Sequence, residues 1–438
     1  MKLSKYIFHR SFKRDEEHYQ LILATRTNDV FAIDADTWSA IRNEQFELLD
    51  ENTSDLLLSR GLLTNEQNEL ANIIQENIEV TNQEEELYFA VQATASCQLG
   101  CSYCGQSHGP KRYSSDDIEK VAHFIAAQVH QNSAKKLKLG LFGAEPLLAL
   151  SQNLNLVQKL KNILGSDFPI RSKMASNGLK LSNDILKTLH EEAGLDTVDV
   201  TIDGLEKIHD QRRMFKNGRG SFDIIWNNLQ SIHPLVSDKL SINIRCNVDS
   251  LSVDSMEDFL IFLANHEWTK KMTLYFAPVH SWGNDADQRI KEKEKLSLQL
   301  LQLRVRAMSL GLKIDGFIPK RTFKACMALD KRSAVIDPSL NIFTCTEIPL
   351  VKSYETEAHQ SKSGNIHNYQ RSDYRDFYDE VLNGDWPCAR CPLFPACGGA
   401  CPKSWKEGRT ACPPIKTTIN ETLEFLAKNL FKADEVFS

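Results

Sequence analysis

Cys97-Gln-Leu-Gly-Cys101-Ser-Tyr-Cys104 brings three thiols together at C-x3-C-x2-C spacing. Three thiolates can hold three irons of a cubic [4Fe–4S] cluster, which leaves the fourth iron without a protein ligand and open to a small molecule. That asymmetry suits chemistry more than electron storage. A structural zinc site is the plain alternative, but zinc prefers four ligands in C-x2-C pairs, and His108 is the one further candidate nearby. A second cysteine group follows much later: Cys326, Cys345, then Cys388-x2-Cys391-x5-Cys397-x3-Cys401, and Cys412. In a reducing compartment eleven cysteines argue for metal or redox chemistry rather than disulfides. Cys246, among Ile242, Ile244 and Val248, reads as a small core residue.

These groups need a scaffold. Strand-like runs at 87–94, 137–142, 170–176, 197–203, 240–248 and 272–278 alternate with amphipathic helical stretches such as 115–130 and 183–193. Repeated βα units predict a parallel sheet with right-handed crossovers, closing into a partial barrel whose site lies at the carboxyl ends of the strands. The chemistry-bearing strings fall at those ends. Before the barrel, residues 1–82 read as a separate unit: a hairpin from Tyr19–Thr25 and Val30–Asp34, a helix capped by Asp36 or Thr37, a segment around 56–63, and a charged helix from Asn65 to Asn77. Gln83–Glu86 reads as a solvated linker. The barrel then occupies 83–315 and the cysteine-rich segment 316–438, with a terminal helix at 415–431 that should pack on the barrel.

A chain of 438 residues with 25% charged residues and a net charge of −6 is an ordinary globular one. It offers no electrostatic case for nucleic acid. No apolar run reaches membrane-spanning length, and the start lacks the apolar core of a signal peptide, so a cytoplasmic protein without membrane partners is expected.

The cysteine triad, with Tyr103 before its last member, resembles the radical S-adenosylmethionine (SAM) superfamily. Gly143-Ala144-Glu145-Pro146 resembles that family's Gly-Gly-Glu-Pro motif, with Ala144 departing from the second glycine. Ser176-Asn177-Gly178 is similar to its Thr-Asn-Gly. Thr201-Ile-Asp203-Gly204, His209-Asp210, Arg212-Arg213 and Gly218-Arg-Gly220-Ser-Phe222 resemble the peptide-modifying branch. The resemblance implies an α/β fold, a partial (β/α)6 TIM-like barrel, with SAM on the open iron. It also implies contacts from Tyr103, Gly143, Ala144, Glu145, Ser176 and Asn177. Thr201 and Asp203 would lie near the ribose, and Arg212 or Arg213 would grip the carboxylate, where a guanidinium fork is bidentate.

The later cysteines resemble the SPASM extension, which implies two auxiliary [4Fe–4S] clusters and three in all. By that pattern Cys388, Cys391, Cys397 and Cys412 hold one, and Cys326, Cys345 and Cys401 the other. A zinc ribbon is the alternative reading. Leu340 stands where the family has glycine, and Asn341 is expected to supply the left-handed turn residue. The N-terminal unit resembles the winged-helix-like units that bind a leader peptide as an added strand.

Together these imply a maturase of a ribosomally made precursor peptide, fed by a flavodoxin- or ferredoxin-type electron donor. It would form a thioether or carbon–carbon (cyclophane-like) crosslink. An anaerobic sulfatase-maturating, formylglycine-forming enzyme is the alternative. That group carries an Asp base after the second SPASM cysteine, where this chain has Thr346 and then Glu347. A non-catalytic iron–sulfur scaffold would require a broken cysteine triad or Gly143–Pro146 string, and both are intact. Glu347, Asp285 and His280 are the candidate catalytic groups.

Overall fold

The computed structural model describes residues 1–280, 284, 292–352, 374 and 376–437. The chain divides into two compact units. One combines Met1–Gln83, Gly316–Asp330 and Asp373–Ser438; the other combines Glu84–Asp315 and Lys331–Ser372. The sequence suggests three successive domains. Instead the two ends of the chain share a unit, and residues 334–336 and 342–343 extend the barrel sheet.

The first unit opens with strands β1 (Lys2–Leu3), β2 (Ile7–Arg14), β3 (Glu17–Ala24), β4 (Asp29–Asp34) and β5 (Leu63–Thr64), and helices α1 (Ala35–Arg42), α2 (Glu51–Ser59) and α3 (Glu69–Gln83). The expected hairpin is β3–β4, turning at Asn28 with φ 64°. β2 adds a further antiparallel strand, and β1 pairs with β5. α1 is capped two residues before Asp36 and three before Thr37: the Asp34 carboxylate accepts from the Thr37 N–H at 2.8 Å. α3 runs to Gln83 and Glu86 already begins the next strand, so the acidic stretch is not a free linker. Ile7, Ile22 and Phe31 bury against Ile41, Leu57 and Leu62.

The second unit contains β6 (Glu86–Val91), α4 (Ser115–Gln131), β7 (Lys136–Leu141), α5 (Leu150–Leu164), β8 (Ile170–Ser176), α6 (Asn183–Ala193) and β9 (Leu195–Thr201). It continues through α7 (Glu206–Arg212), α8 (Phe222–Ile232), β10 (Ser241–Val248), α9 (Met256–Ala264), β11 (Thr273–Pro278), α10 (Lys293–Ser309), β12 (Lys313–Ile314), β13 (Ala334–Ile336) and β14 (Ile342–Phe343). These strands form one sheet in the order β12-β11-β10-β9-β8-β7-β6-β13-β14. Every pair is parallel except the β13–β14 hairpin. The period-two pattern explains its burial: Leu87, Phe89, Leu137, Leu139, Val198, Ile242 and Ile244 pack beneath helical Val121, Ile125, Leu156, Leu186 and Ile225. α4 starts on a capping box of Ser114 and Asp117, and α6 stops at Gly194 with φ 61°, where a Cβ would sit 2.3 Å from the Ile170 carbonyl oxygen.

The first unit resumes with α11 (Phe377–Asn383), α12 (Phe394–Cys397), α13 (Pro402–Lys406), α14 (Ile419–Leu430) and β15 (Glu435–Val436). β15 pairs with β2, giving the sheet order β15-β2-β3-β4 and leaving β4 at the edge. The terminal helix does not serve the barrel. α14 lays Ile419, Leu423, Leu426 and Ala427 on Phe12, Leu21 and Leu23 of the first unit's own sheet. No helix among the described residues is long and apolar enough to cross a membrane.

Candidate active site at the carboxyl ends of the barrel strands

The triad loop leaves β6 and is stitched to the segment after α7. Gly100 N–H donates to the Met214 carbonyl at 2.9 Å, Ser102 N–H to Arg212 at 2.8 Å, and Lys216 N–H to Gln98 at 3.2 Å. Cys97, Cys101 and Cys104 line one pocket of about 240 Å³. Asn177 Nδ2 lies 3.8 Å from Cys97 Sγ and 3.2 Å from Gln98 Oε1. Burial pushes all three thiols up, Cys101 to about 12. Iron bound to such thiols deprotonates them and supplies the opposing charge, so the donor set fits a cluster. No three His, Cys, Asp or Glu side chains among the described residues gather on a single metal ion. A cubane does not require that, because its sulfur ligands sit on separate irons.

Gly143 and Ala144 take left-handed backbone with φ 80° and 45°, and both line the pocket. A Cβ on Gly143 would lie 2.4 Å from the Gln92 side chain, so this wall of the cradle must be glycine. Ala144 N–H donates to Gln106 Oε1 at 3.0 Å. Glu145 points away from the pocket. It is 1% exposed, and its carboxylate accepts from Ser176 Oγ at 2.9 Å and from the N–H groups of Asn177 at 2.7 Å and Leu147 at 3.0 Å. Burial pushes its carboxyl up, against those hydrogen bonds. Its own N–H reaches the Ser96 carbonyl at 3.0 Å. Glu145 therefore ties the ends of β7 and β8 to the start of the triad loop.

The two candidate arginines separate cleanly. Arg212 is tied to Asp249 at 2.7 Å and to the Asn247 carbonyl at 3.0 Å, and does not line the pocket. Arg213 does line it, and Nη1 donates to Tyr103 Oη at 2.7 Å. Asp203 is fully buried behind Tyr103, accepting from its hydroxyl at 2.7 Å and from Asn247 N–H at 2.9 Å, while Thr201 faces the pocket. Ser176 and Asn177 complete this wall.

His280, just after β11, also lines the pocket, with Thr346 and Glu347, just after Cys345. His280 Nε2 and Glu347 Oε2 are 3.1 Å apart. Asp285 lies outside the described residues. Gln92, Phe142, Arg245 and Asn247 also line the pocket and were not singled out in the sequence. The signal for Arg245 and Asn247 was present: they flank the fully buried Cys246 on β10, so alternation turns them to the opposite face.

Residues 91–262 match the family model described as the radical SAM superfamily. This stretch of the barrel is a radical SAM domain. None of the curated proteins matches the chain. Native anSMEcpe with bound AdoMet superposes with a TM-score of 0.56 at 16% identity, covering 79% of this chain and 98% of that one. Native anSMEcpe with AdoMet and the Kp18Cys peptide gives 0.55 at 16%, with the same shares of 79% and 98%. Streptococcus suis SuiB bound to precursor peptide SuiA gives 0.48 at 12%, covering 94% and 98%. At 16% identity the likeness to anSMEcpe is one of fold. A radical SAM enzyme takes a [4Fe–4S] cluster and SAM, and the Cys97–Cys104 loop with the Gly143 cradle is where this chain offers the matching donors.

Outside the radical SAM domain, the first unit gathers Cys388, Cys391, Cys397 and Cys412 around a small cavity with Lys416, whose Nζ is 3.5 Å from Cys412 Sγ. Burial first, then neighbouring thiols, pushes Cys388 to about 12 and Cys397 to about 11. Cys326 is likewise raised to about 11 by burial, with Cys401 among its neighbours. Cys345 follows β14 of the barrel sheet and accepts the Glu347 N–H on sulfur at 3.4 Å.

Proposed function

We propose that this radical SAM enzyme matures a ribosomally made precursor peptide by forming an intramolecular crosslink, a thioether or a carbon–carbon bond. The observation that carries the reading is one pocket lined by two kinds of residue. The cysteine triad, the Gly143 cradle and Arg213 suit the cluster and SAM. His280, Thr346 and Glu347 line the same pocket and are left over for a substrate. When bound, the cluster and SAM supply a hydrogen-abstracting 5′-deoxyadenosyl radical. The chain's residues hold the target C–H and exclude water.

Three further elements support the peptide reading. β4 is an edge strand, which a leader can extend through main-chain hydrogen bonds. The cysteine spacing of the first unit suits auxiliary clusters, three [4Fe–4S] clusters in all, with an external flavodoxin- or ferredoxin-type donor. The anSMEcpe structure that shares this fold contains both AdoMet and a peptide. Formylglycine formation is the competing reading, and Thr346 in place of the Asp that such enzymes carry weighs against it.

The test is anaerobic co-expression with each short reading frame beside the gene, followed by intact mass. Loss of two hydrogens from one peptide, abolished by Cys101→Ala, supports the proposal. No mass change on any neighbour, with SAM still cleaved, overturns it.

A further inference from the structure

We propose that Gln92 is a specificity-determining residue that binds the main chain of the substrate peptide through its carboxamide. This deepens the peptide-crosslinking reading and rests on it. Gln92 follows β6, whose Phe89 and Val91, with Ala93 beyond, pack into the helical core. Alternation therefore turns Gln92 to the interior of the barrel, where it lines the pocket that holds the cysteine triad. Its backbone N–H is engaged, donating to the Ile336 carbonyl at 2.9 Å. Its carboxamide is not. The residue is fully buried, and neither Oε1 nor Nε2 has a hydrogen-bond partner among the described residues.

Four carboxamides line the pocket, those of Gln92, Gln106, Asn177 and Asn247. The other three are held within the fold. Gln106 Oε1 accepts from the Ala144 N–H at 3.0 Å. Asn177 Nδ2 donates to Gln98 Oε1 at 3.2 Å and its Oδ1 accepts from the Leu179 N–H at 3.0 Å. Asn247 Nδ2 donates to Tyr103 Oη at 2.9 Å and its Oδ1 accepts from Arg245 Nε at 3.1 Å.

A buried donor and a buried acceptor left unpaired destabilise the free protein. An apolar side chain of similar length would fill the space without that cost, so a glutamine here points to a partner that arrives with the ligand. The terminal torsion of glutamine is broad, and its rotation can turn the group toward the pocket. The N–H and C=O of one residue in an extended peptide point to the same side, as in a hydrogen-bonded strand pair, and can meet both ends of a carboxamide. SAM offers charged groups instead, an ammonium and a carboxylate, and Arg213 in the same pocket suits the carboxylate.

The experiment uses the reconstituted holoenzyme and the peptide identified by co-expression, with saturating SAM and no reductant, so that SAM stays intact. Three quantities are read: the urea unfolding midpoint without ligands, SAM affinity and peptide affinity. Gln92→Met should unfold at or above the wild-type midpoint, because it removes two unpaired groups. It should bind SAM within about twofold of wild type and the peptide about tenfold more weakly. Gln92→Leu, of different shape, should repeat the pattern. Synthetic peptides carrying one main-chain ester at a time then locate the partner: one ester should weaken binding to wild type about tenfold, and to Gln92→Met less than about twofold. Equal peptide affinity in wild type and Gln92→Met overturns the assignment, as do lowered midpoints in both variants, a tenfold loss of SAM affinity, or a scan in which no ester acts on wild type alone. A wild-type enzyme that alters no neighbouring peptide overturns the maturation reading, and this assignment with it.

Discussion

The Tyr103 hydroxyl donates to Asp203 Oδ2 at 2.7 Å while accepting from Arg213 Nη1 at 2.7 Å and Asn247 Nδ2 at 2.9 Å. One phenol thus joins the triad loop to the ends of β9 and β10 and to the arginine that faces the pocket. Burial, ahead of the nearby charges, pushes its pKa far up, so it remains a donor. Tyr103→Phe removes that hub and leaves buried Asp203 and Arg213 short of a partner. The expected cost is about 1–3 kcal/mol in stability, read by denaturant unfolding of the anaerobic protein. SAM affinity should fall roughly tenfold, because Arg213 loses the group that aims it; equilibrium SAM binding checks this.

His209 gives a pH prediction. It is fully buried, and burial holds its pKa down at about 3. Its Nδ1 accepts from Asp203 N–H at 3.2 Å, so Nε2 carries the proton and donates to Ser221 Oγ at 3.0 Å. Ser221 in turn donates to the Arg213 carbonyl at 2.6 Å. A proton on Nδ1 would oppose the Asp203 N–H. The folded pKa lies below the unfolded value near 6.5, so the unfolded chain binds the extra proton. This contribution is present in full above about pH 6.5 and is lost as pH falls toward 3, by at most about 1.4 kcal/mol per pH unit. Comparing wild type with His209→Gln between pH 7.5 and about 5 isolates it. The variant should show the shallower slope, and equal slopes would remove His209 from the account.

Gly143 and Ala144 are both left-handed, yet they should answer substitution differently. At Gly143, φ 80° combines with a Cβ position 2.4 Å from Gln92. Gly143→Ala must displace a buried side chain at the cradle, and SAM binding should be lost. At Ala144 the methyl is already accommodated at φ 45°. Ala144→Gly relieves about 1 kcal/mol of left-handed strain and gives back a similar amount in chain entropy. Stability should stay within about 0.5 kcal/mol of wild type, with SAM binding retained. Titrating SAM into each variant separates the two cases.

Much of the barrel was legible because its strands are apolar at period two and its helices are punctuated. Ile170–Ser176 and Asn183–Ala193 fall where the pattern places them, and Ser182 caps the helix. β2 was not legible, because Ile-Phe-His-Arg-Ser-Phe-Lys-Arg breaks the alternation and buries only Ile7 and Phe12. The face of α14 announces that it packs but not on what, and the barrel was the wrong partner. At the site, the motif residues named the neighbourhood without orienting it. Glu145 turns inward to cap and staple, and adjacent Arg212 and Arg213 point to different surroundings, which spacing does not distinguish. His280 and Glu347 lie far apart in sequence, and only the closing of the sheet brings them within hydrogen-bonding distance.

Leu340 shows the same limit at one residue. Asn341 was expected to take the left-handed turn, but Asp337 captures it: the Asn341 N–H reaches Asp337 Oδ1 at 2.8 Å and Nδ2 reaches Oδ2 at 3.0 Å. Leu340 takes φ 66° instead, with its side chain 7% exposed in the barrel core. Glycine at 340 would relieve about 1 kcal/mol of backbone strain. It would also remove a buried leucine, worth roughly 2–5 kcal/mol with the cavity left behind. The packing loss exceeds the strain relief, so Leu340→Gly should destabilise the protein by about 1–4 kcal/mol, despite restoring the residue favoured by this turn. A Leu340→Gly protein as stable as wild type in denaturant unfolding would show that the side chain contributes little to the core. The strained backbone would then dominate this position.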